Sequence, residues 1–138
     1  MQMDILQLFT VFFSAIAAFV SFQTYRLQGR KRSAELRQAW LNDLREKVAN
    51  VFAETAKWET SKIDSIRLQY LMEYIDMMLD MSCEHHSKLK NALFPVALNA
   101  ESGNEAGLRE AYNTLGASAR SFFNIEQNEI RRGLERWI

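Results

Sequence analysis

The sequence predicts an all-α protein: an N-terminal transmembrane helix followed by a small cytoplasmic helical bundle of three to four helices. Three observations lead there. No charged residue interrupts Ile5–Tyr25. A basic block, Arg26, Arg30, Lys31 and Arg32, follows at once. Beyond it apolar residues recur at helical spacing, with one Pro and five Gly in the chain to interrupt them. The expected division is a transmembrane helix over 1–25, a basic juxtamembrane segment over 26–32 and a helical domain over 33–138.

A helix over residues 3–24 is about 33 Å long at about 1.5 Å per residue, enough for a hydrocarbon core of about 30 Å. A cleaved signal peptide needs a basic stretch before its apolar run. Here Met1-Gln2-Met3-Asp4 precedes the run and the cations follow it. An uncharged run of this length in a chain of 138 residues also fits poorly as the buried helix of a soluble protein. Arg26, Arg30, Lys31 and Arg32 set the orientation, because an excess of Lys and Arg stays in the cytoplasm. The expectation is a bacterial inner-membrane protein with its N-terminus outside and its C-terminal domain in the cytoplasm. The single Cys excludes an internal disulfide and suits a reducing interior.

Within the span, Gln7, Thr10, Ser14, Ala17, Ser21 and Thr24 follow a 3-4-3-4-3 spacing, while Phe9, Phe12, Phe13, Ile16, Phe19 and Phe22 fill other positions. Small and polar side chains are what lets helices associate in lipid, so this face predicts self-association with a left-handed crossing. The competing reading is that Ser and Thr bond back to their own helix.

Charge is unevenly distributed although 17 basic and 17 acidic residues balance. Residues 1–22 carry only Asp4; 23–50 carry seven basic and three acidic residues; 51–138 carry ten basic and thirteen acidic. A basic block beside an apolar run points to anionic lipid head groups before nucleic acid, and no basic–aromatic alternation suggests stacking on bases.

The first helix after the span should run from about Ser33 to Lys57, with Leu41, Leu44, Val48, Val51, Thr55 and Trp58 at heptad spacing. Only Gly29 separates it from the span, so one long helix leaving the bilayer is expected. Ser61, with Asp64 in a capping-box position, should open the next helix. Its expected apolar face is Ile63, Ile66, Tyr70, Leu71, Tyr74, Met77, Met78 and Met81. Met72 joins Tyr70, Tyr74, Met77, Met78 and Met81 in a stripe read as core rather than as a partner-binding surface. Ser82–Leu98 is less regular, with Pro95 expected to break or restart a helix. Asn99–Asn104 reads as the clearest loop. A last helix from about Glu105 carries Leu108, Tyr112, Leu115, Ala119, Phe122, Phe123, Ile130, Leu134 and Trp137, closing an up-and-down bundle.

The block Arg37-Gln38-Ala39-Trp40-Leu41-Asn42-Asp43-Leu44-Arg45 resembles small single-pass bacterial and phage-borne membrane proteins. These carry Arg-Gln-x-Trp-(Ile/Leu)-x-x-Leu-Arg shortly after an N-terminal span. Leu79-Asp80-Met81 with Glu84-His85-His86 stands where that group has Leu-Asn-Pro, acidic residues and a His, so the Asn-Pro is missing here. Ile130–Trp137 is similar to its charged, Trp-bearing end. The resemblance implies architecture and brings no activity. Arg37, Trp40, Leu44 and Arg45 are read as a structural clamp.

Asp80, Cys83, Glu84, His85 and His86 are the one cluster of potential metal ligands. Adjacent His residues point about 100° apart on a helix, and no further Cys or His completes a set. The cluster therefore reads as a polar helix end with a His near its C-terminus, where the dipole favours it. Cys83 and His86 have the i, i+3 spacing of a nucleophile and base, with no oxyanion donor or third member placed beside them. No phosphate-cradling loop, zinc pattern or dinucleotide fingerprint appears. The expectation is a non-enzyme without metal, cofactor, nucleic acid or small-molecule substrate. It self-associates in the membrane and binds a protein partner as scaffold, adaptor or subunit. The alternative is an oligomeric, membrane-acting effector or pore former, with phage defence as its setting. A metal-dependent enzyme using Cys83 and His86 is the third, weakest reading.

Overall fold

A computed structural model of the chain describes residues 5–136, with side chains from Gln7 onward. Asp4 and Trp137, which entered the readings above, lie outside the described residues. Helix α1 covers Ile5–Ala56, α2 Ser65–Met78, α3 Glu84–Ser102 and α4 Glu105–Glu135, with a short 3-10 turn at Lys57–Glu59. Among the described residues no strand occurs.

Helix α1 has two halves of different character. At about 1.5 Å per residue its 52 residues extend about 78 Å, far beyond a small bundle. In the first half Leu8, Phe9, Val11, Phe12, Phe13, Ile16, Phe19, Val20 and Phe22 are all exposed. Among the described residues this is the one helix long and apolar enough to cross a membrane, and no part of its apolar window is buried. In the second half Leu41, Leu44, Val48, Val51 and Thr55 are buried at the expected heptad spacing. No break separates the halves; Gly29 lies inside the helix. The expected start at Ser33 is therefore a change of environment, not of structure.

Four helical segments pack up and down around the core. Tyr74 on α2 donates to Asp43 on α1, and Asp64 at the start of α2 donates its N–H to Glu54 near the end of α1. Lys90 on α3 pairs with Asp76 on α2. Phe52 meets Tyr112, and Gln38 meets Gln127, so α1 and α4 also run antiparallel. Helix α3 packs most extensively on α4, and α1 on both α2 and α4.

Three expected boundaries are corrected. Asp64, not Ser61, caps α2: its Oδ1 accepts from the Ile66 and Arg67 N–H groups at 3.1 Å each. Pro95 does not break α3, which continues through it to Ser102. The intrahelical bond that Pro cannot donate is offset by burial of Leu89, Ala92, Leu93 and Val96, and Asn99 Nδ2 donates to the Pro95 carbonyl at 2.7 Å. Residues 99–102 are helical rather than loop, and the turn is confined to Gly103 and Asn104. Gly103 sits in the left-handed region at φ 70°, and Asn104 Oδ1 accepts from the Gly107 N–H. A Cβ at Gly107 would run into the Asn99 and Asn104 side chains and displace them.

Helix α2 is also less buried than its apolar pattern suggests. Leu68, Leu71 and Ile75 form its core stripe, whereas Ile66, Tyr70, Met77 and Met81 are exposed. Met72 and Met78 pack partly against the core. A 14-residue helix at the bundle's edge needs only that narrow stripe inside.

Candidate functional site

The antiparallel packing gathers polar groups from three helices at the end of the bundle nearest the apolar half of α1. Arg37 and Trp40 come from α1, His85 and His86 from the first turn of α3, and Glu126 and Glu129 from the last third of α4. The centre is Glu126, whose side chain is only 1% exposed. Its Oε1 lies 2.7 Å from His85 Nε2 and 2.9 Å from His86 Nε2. Its Oε2 accepts from Arg37 Nη2 at 3.0 Å, and the same nitrogen donates to Glu129 at 2.6 Å.

The turn before α3 fixes one ring. Asp80 accepts from the Ser82 N–H and hydroxyl, and donates its own N–H to His86 Nδ1 at 2.9 Å. His86 Nδ1 must hold a lone pair for that bond, so the neutral ring carries its proton on Nε2 and donates it to Glu126. Trp40 covers the other side, stacked on His86 with centroids 5.9 Å apart, and Phe122 meets His86 edge-on at 5.0 Å. Burial pushes the Glu126 carboxyl pKa up, but hydrogen bonds from His85, His86 and Arg37, with the guanidinium charge, more than offset it. The net direction is below the ordinary carboxylate value. Burial opposes charge at Arg37 too, and the hydrogen bond and charge of Glu126, then Glu129, leave its pKa raised. Both shifts favour the charged forms of Glu126 and Arg37.

His85, His86 and Glu126 offer three ligand atoms within 4.8 Å of one another. A metal-bound imidazole ligates through one nitrogen and donates from the other. His86 does the reverse: its inner nitrogen accepts from backbone and its outer N–H is spent on the carboxylate. The arrangement suits a hydrogen-bonded clamp, not a prepared cation site. Nor do Cys83 and His86 form a nucleophile–base pair. Both His86 nitrogens are engaged, and the nearest polar partner of Cys83 Sγ is Asp80, at 3.8 Å. The expectation of a His near a helix C-terminus is corrected as well. Both His residues begin α3, where the dipole disfavours added positive charge.

Sequence reasoning placed Arg37, Trp40, Leu44 and Arg45 in a clamp, and the structure brings them to one place. Leu44 is fully buried. Arg45, however, lies 3.3 Å from Gln127 and over the Phe123 ring instead of against an acid. Glu126 and Glu129 were missed. The available signal was the stripe Leu108, Leu115, Ala119, Phe122, Ile130, whose gap of eight residues is bridged by Glu126 at i+4 from Phe122 and i−4 from Ile130. A second missed carboxylate, Glu54, is 2% exposed and joins Lys57 Nζ at 2.9 Å to the Asp64 N–H at 2.8 Å.

Gln7, Thr10, Ser14, Ala17, Ser21 and Thr24 are exposed on the outer half of α1. The Ser14 hydroxyl donates to the Thr10 carbonyl and the Thr24 hydroxyl to the Val20 carbonyl, so both donors are used inside their own helix. Arg26 stacks over Phe22, Arg30 is half-buried, and Lys31 and Arg32 are exposed. Comparison with protein-family models, curated proteins and solved structures gave no match.

Proposed function

We propose that this chain is a single-pass inner-membrane protein that holds a helical bundle at the cytoplasmic surface and binds a protein partner there. The observation that carries the reading is the division of α1. Its outer half buries nothing and exposes a continuous sleeve of Phe, Val, Leu and Ile, while its inner half is a core helix of the bundle. Water penalises such a sleeve at about 25 cal/mol per Å² of apolar surface, and lipid removes the penalty. Arg26, Arg30, Lys31 and Arg32 follow the sleeve and orient the bundle inward.

On this reading the Glu126 cluster is mechanical. It ties the end of α4 and the start of α3 to α1 one to three turns beyond the basic block, so any movement of the span reaches the bundle as a rigid body. The role is scaffold, adaptor or subunit, and self-association runs along Gln7, Thr10, Ser14, Ala17, Ser21 and Thr24, where close packing supplies what Ser14 and Thr24 no longer donate. The test is retention of the full chain in membranes after an alkaline wash. The wild type is expected to stay with the lipid, and Phe13→Arg combined with Ile16→Arg to release it. Extraction of the wild-type chain by the wash overturns the proposal.

A further inference from the structure

We infer that the last turns of α4 complete a basic collar around the foot of α1 and bind anionic phospholipid head groups. This rests on the membrane reading above and adds a surface that lies some hundred residues away in sequence. The contacts Gln38–Gln127 and Arg37–Glu129 set the register of the two antiparallel helices. From Arg37, Arg32 lies about 8 Å and Arg26 about 17 Å along α1 towards the apolar arm, at about 1.5 Å per residue. From Glu129, moving the same way along α4, Arg131 and Arg132 lie about 3–5 Å on and Arg136 about 11 Å on. Arg131, Arg132 and Arg136 therefore come level with residues 29–34, where Arg30, Lys31 and Arg32 stand.

The charge of this zone is one-sided. Seven cations stand here, Arg26, Arg30, Lys31, Arg32, Arg131, Arg132 and Arg136, and the carboxylates of this zone among the described residues are Glu35 and Glu135, with Glu129 taken by Arg37. Arg131, Arg132 and Arg136 are exposed and make no ion pair among the described residues. Within the bundle Arg37, Lys47, Lys57, Lys88 and Lys90 each face a carboxylate. Unpaired Arg side chains at the level where an apolar helix meets a basic block match phosphodiester oxygens, which guanidinium groups bind with two donors. Leu134, 45% exposed between them, suits the same boundary.

The test compares the full chain with Arg131→Gln/Arg132→Gln/Arg136→Gln and with a control, Lys62→Gln/Arg109→Gln/Arg120→Gln, which removes as many charges from elsewhere. Each is purified in neutral detergent and titrated with phosphatidylglycerol or phosphatidylcholine, with bound lipid counted by native mass spectrometry. Each basic residue near an anionic surface strengthens binding about fivefold, so the α4 variant should lose at least about tenfold in phosphatidylglycerol affinity. The control should match the wild type, and phosphatidylcholine should not distinguish the three. Equal phosphatidylglycerol binding by both variants overturns the inference while leaving the membrane reading intact, provided the wild-type chain still resists the alkaline wash. A wild-type chain that fails the wash overturns both. Tighter binding of duplex DNA or RNA than of phosphatidylglycerol, lost in the α4 variant, makes the surface a nucleic-acid site and likewise overturns it. Unchanged melting of the α4 variant in lipid-free detergent shows that the loss is of binding and not of fold.

Discussion

The Trp40 indole lies almost parallel to the His86 imidazole, 12° apart, and stacks on a ring that Asp80, Glu126, Phe122 and His85 also contact. Helix α1 thereby shields the hydrogen bonds that α3 makes to α4. A fully buried Trp costs about 3–5 kcal/mol on truncation; the half-buried Trp40 should cost about 2–4 kcal/mol as Trp40→Ala. Chemical denaturation of the two proteins reads the difference, and equal midpoints would show that the stack contributes nothing to stability.

Removing Glu126 should cost more than removing its guanidinium partner. Glu126→Ala strands two N–H donors, His85 and His86, at about 1–3 kcal/mol each, so roughly 2–6 kcal/mol is expected. Arg37 is 46% exposed, and Arg37→Ala should cost only about 1 kcal/mol. The reverse order in denaturation midpoints would place the weight of the cluster on the surface pair Arg37–Glu129.

Acid should unfold the bundle through the same carboxylate. Glu126 and Glu54 both have folded pKa values below the ordinary 4.5. Their contribution is complete above 4.5, the unfolded value, and is lost as pH falls through the lower folded value. Melting temperature should therefore drop as pH falls below about 4.5, with a shallower drop over that range in Glu126→Gln. Parallel acid limbs in the two proteins would contradict the direction assigned to Glu126.

Two glycines of α4 should respond oppositely to alanine. Gly133 has open space around it, so Gly133→Ala should stabilise by about 0.5–1 kcal/mol. Gly107→Ala drives a methyl into Asn99 and Asn104 at the corner with α3 and should destabilise. A stabilising Gly107→Ala would mean that the corner is looser than described.

Which features were legible in the sequence follows from how local their causes are. The heptad of Leu41, Leu44, Val48, Val51 and Thr55 is a property of one helix, and the structure buries those residues. The apolar arm was equally plain, because a run without charge is its own signal. Pro95 misled because local propensity weighs against it, whereas Leu93 and Val96 on either side gain more by burial in the core than the missing bond costs. The cluster at Glu126 stayed hidden for the opposite reason. A carboxylate on an apolar stripe looks like an interruption until the antiparallel register brings His85, His86 and Arg37 to it from 89 residues away or less. Only the α1 half of the clamp, Arg37 with Trp40, carried a local signature.

The central claim is that the outer half of α1 crosses the membrane and delivers the bundle to the cytoplasm. Paired reporters fused after Ile138, one active only in the periplasm and one only in the cytoplasm, test it most directly. With Arg26, Arg30, Lys31 and Arg32 directly behind the apolar run, the cytoplasmic reporter should be active and the periplasmic one silent. A C-terminal fusion active in the periplasm would contradict the orientation and the cytoplasmic bundle together.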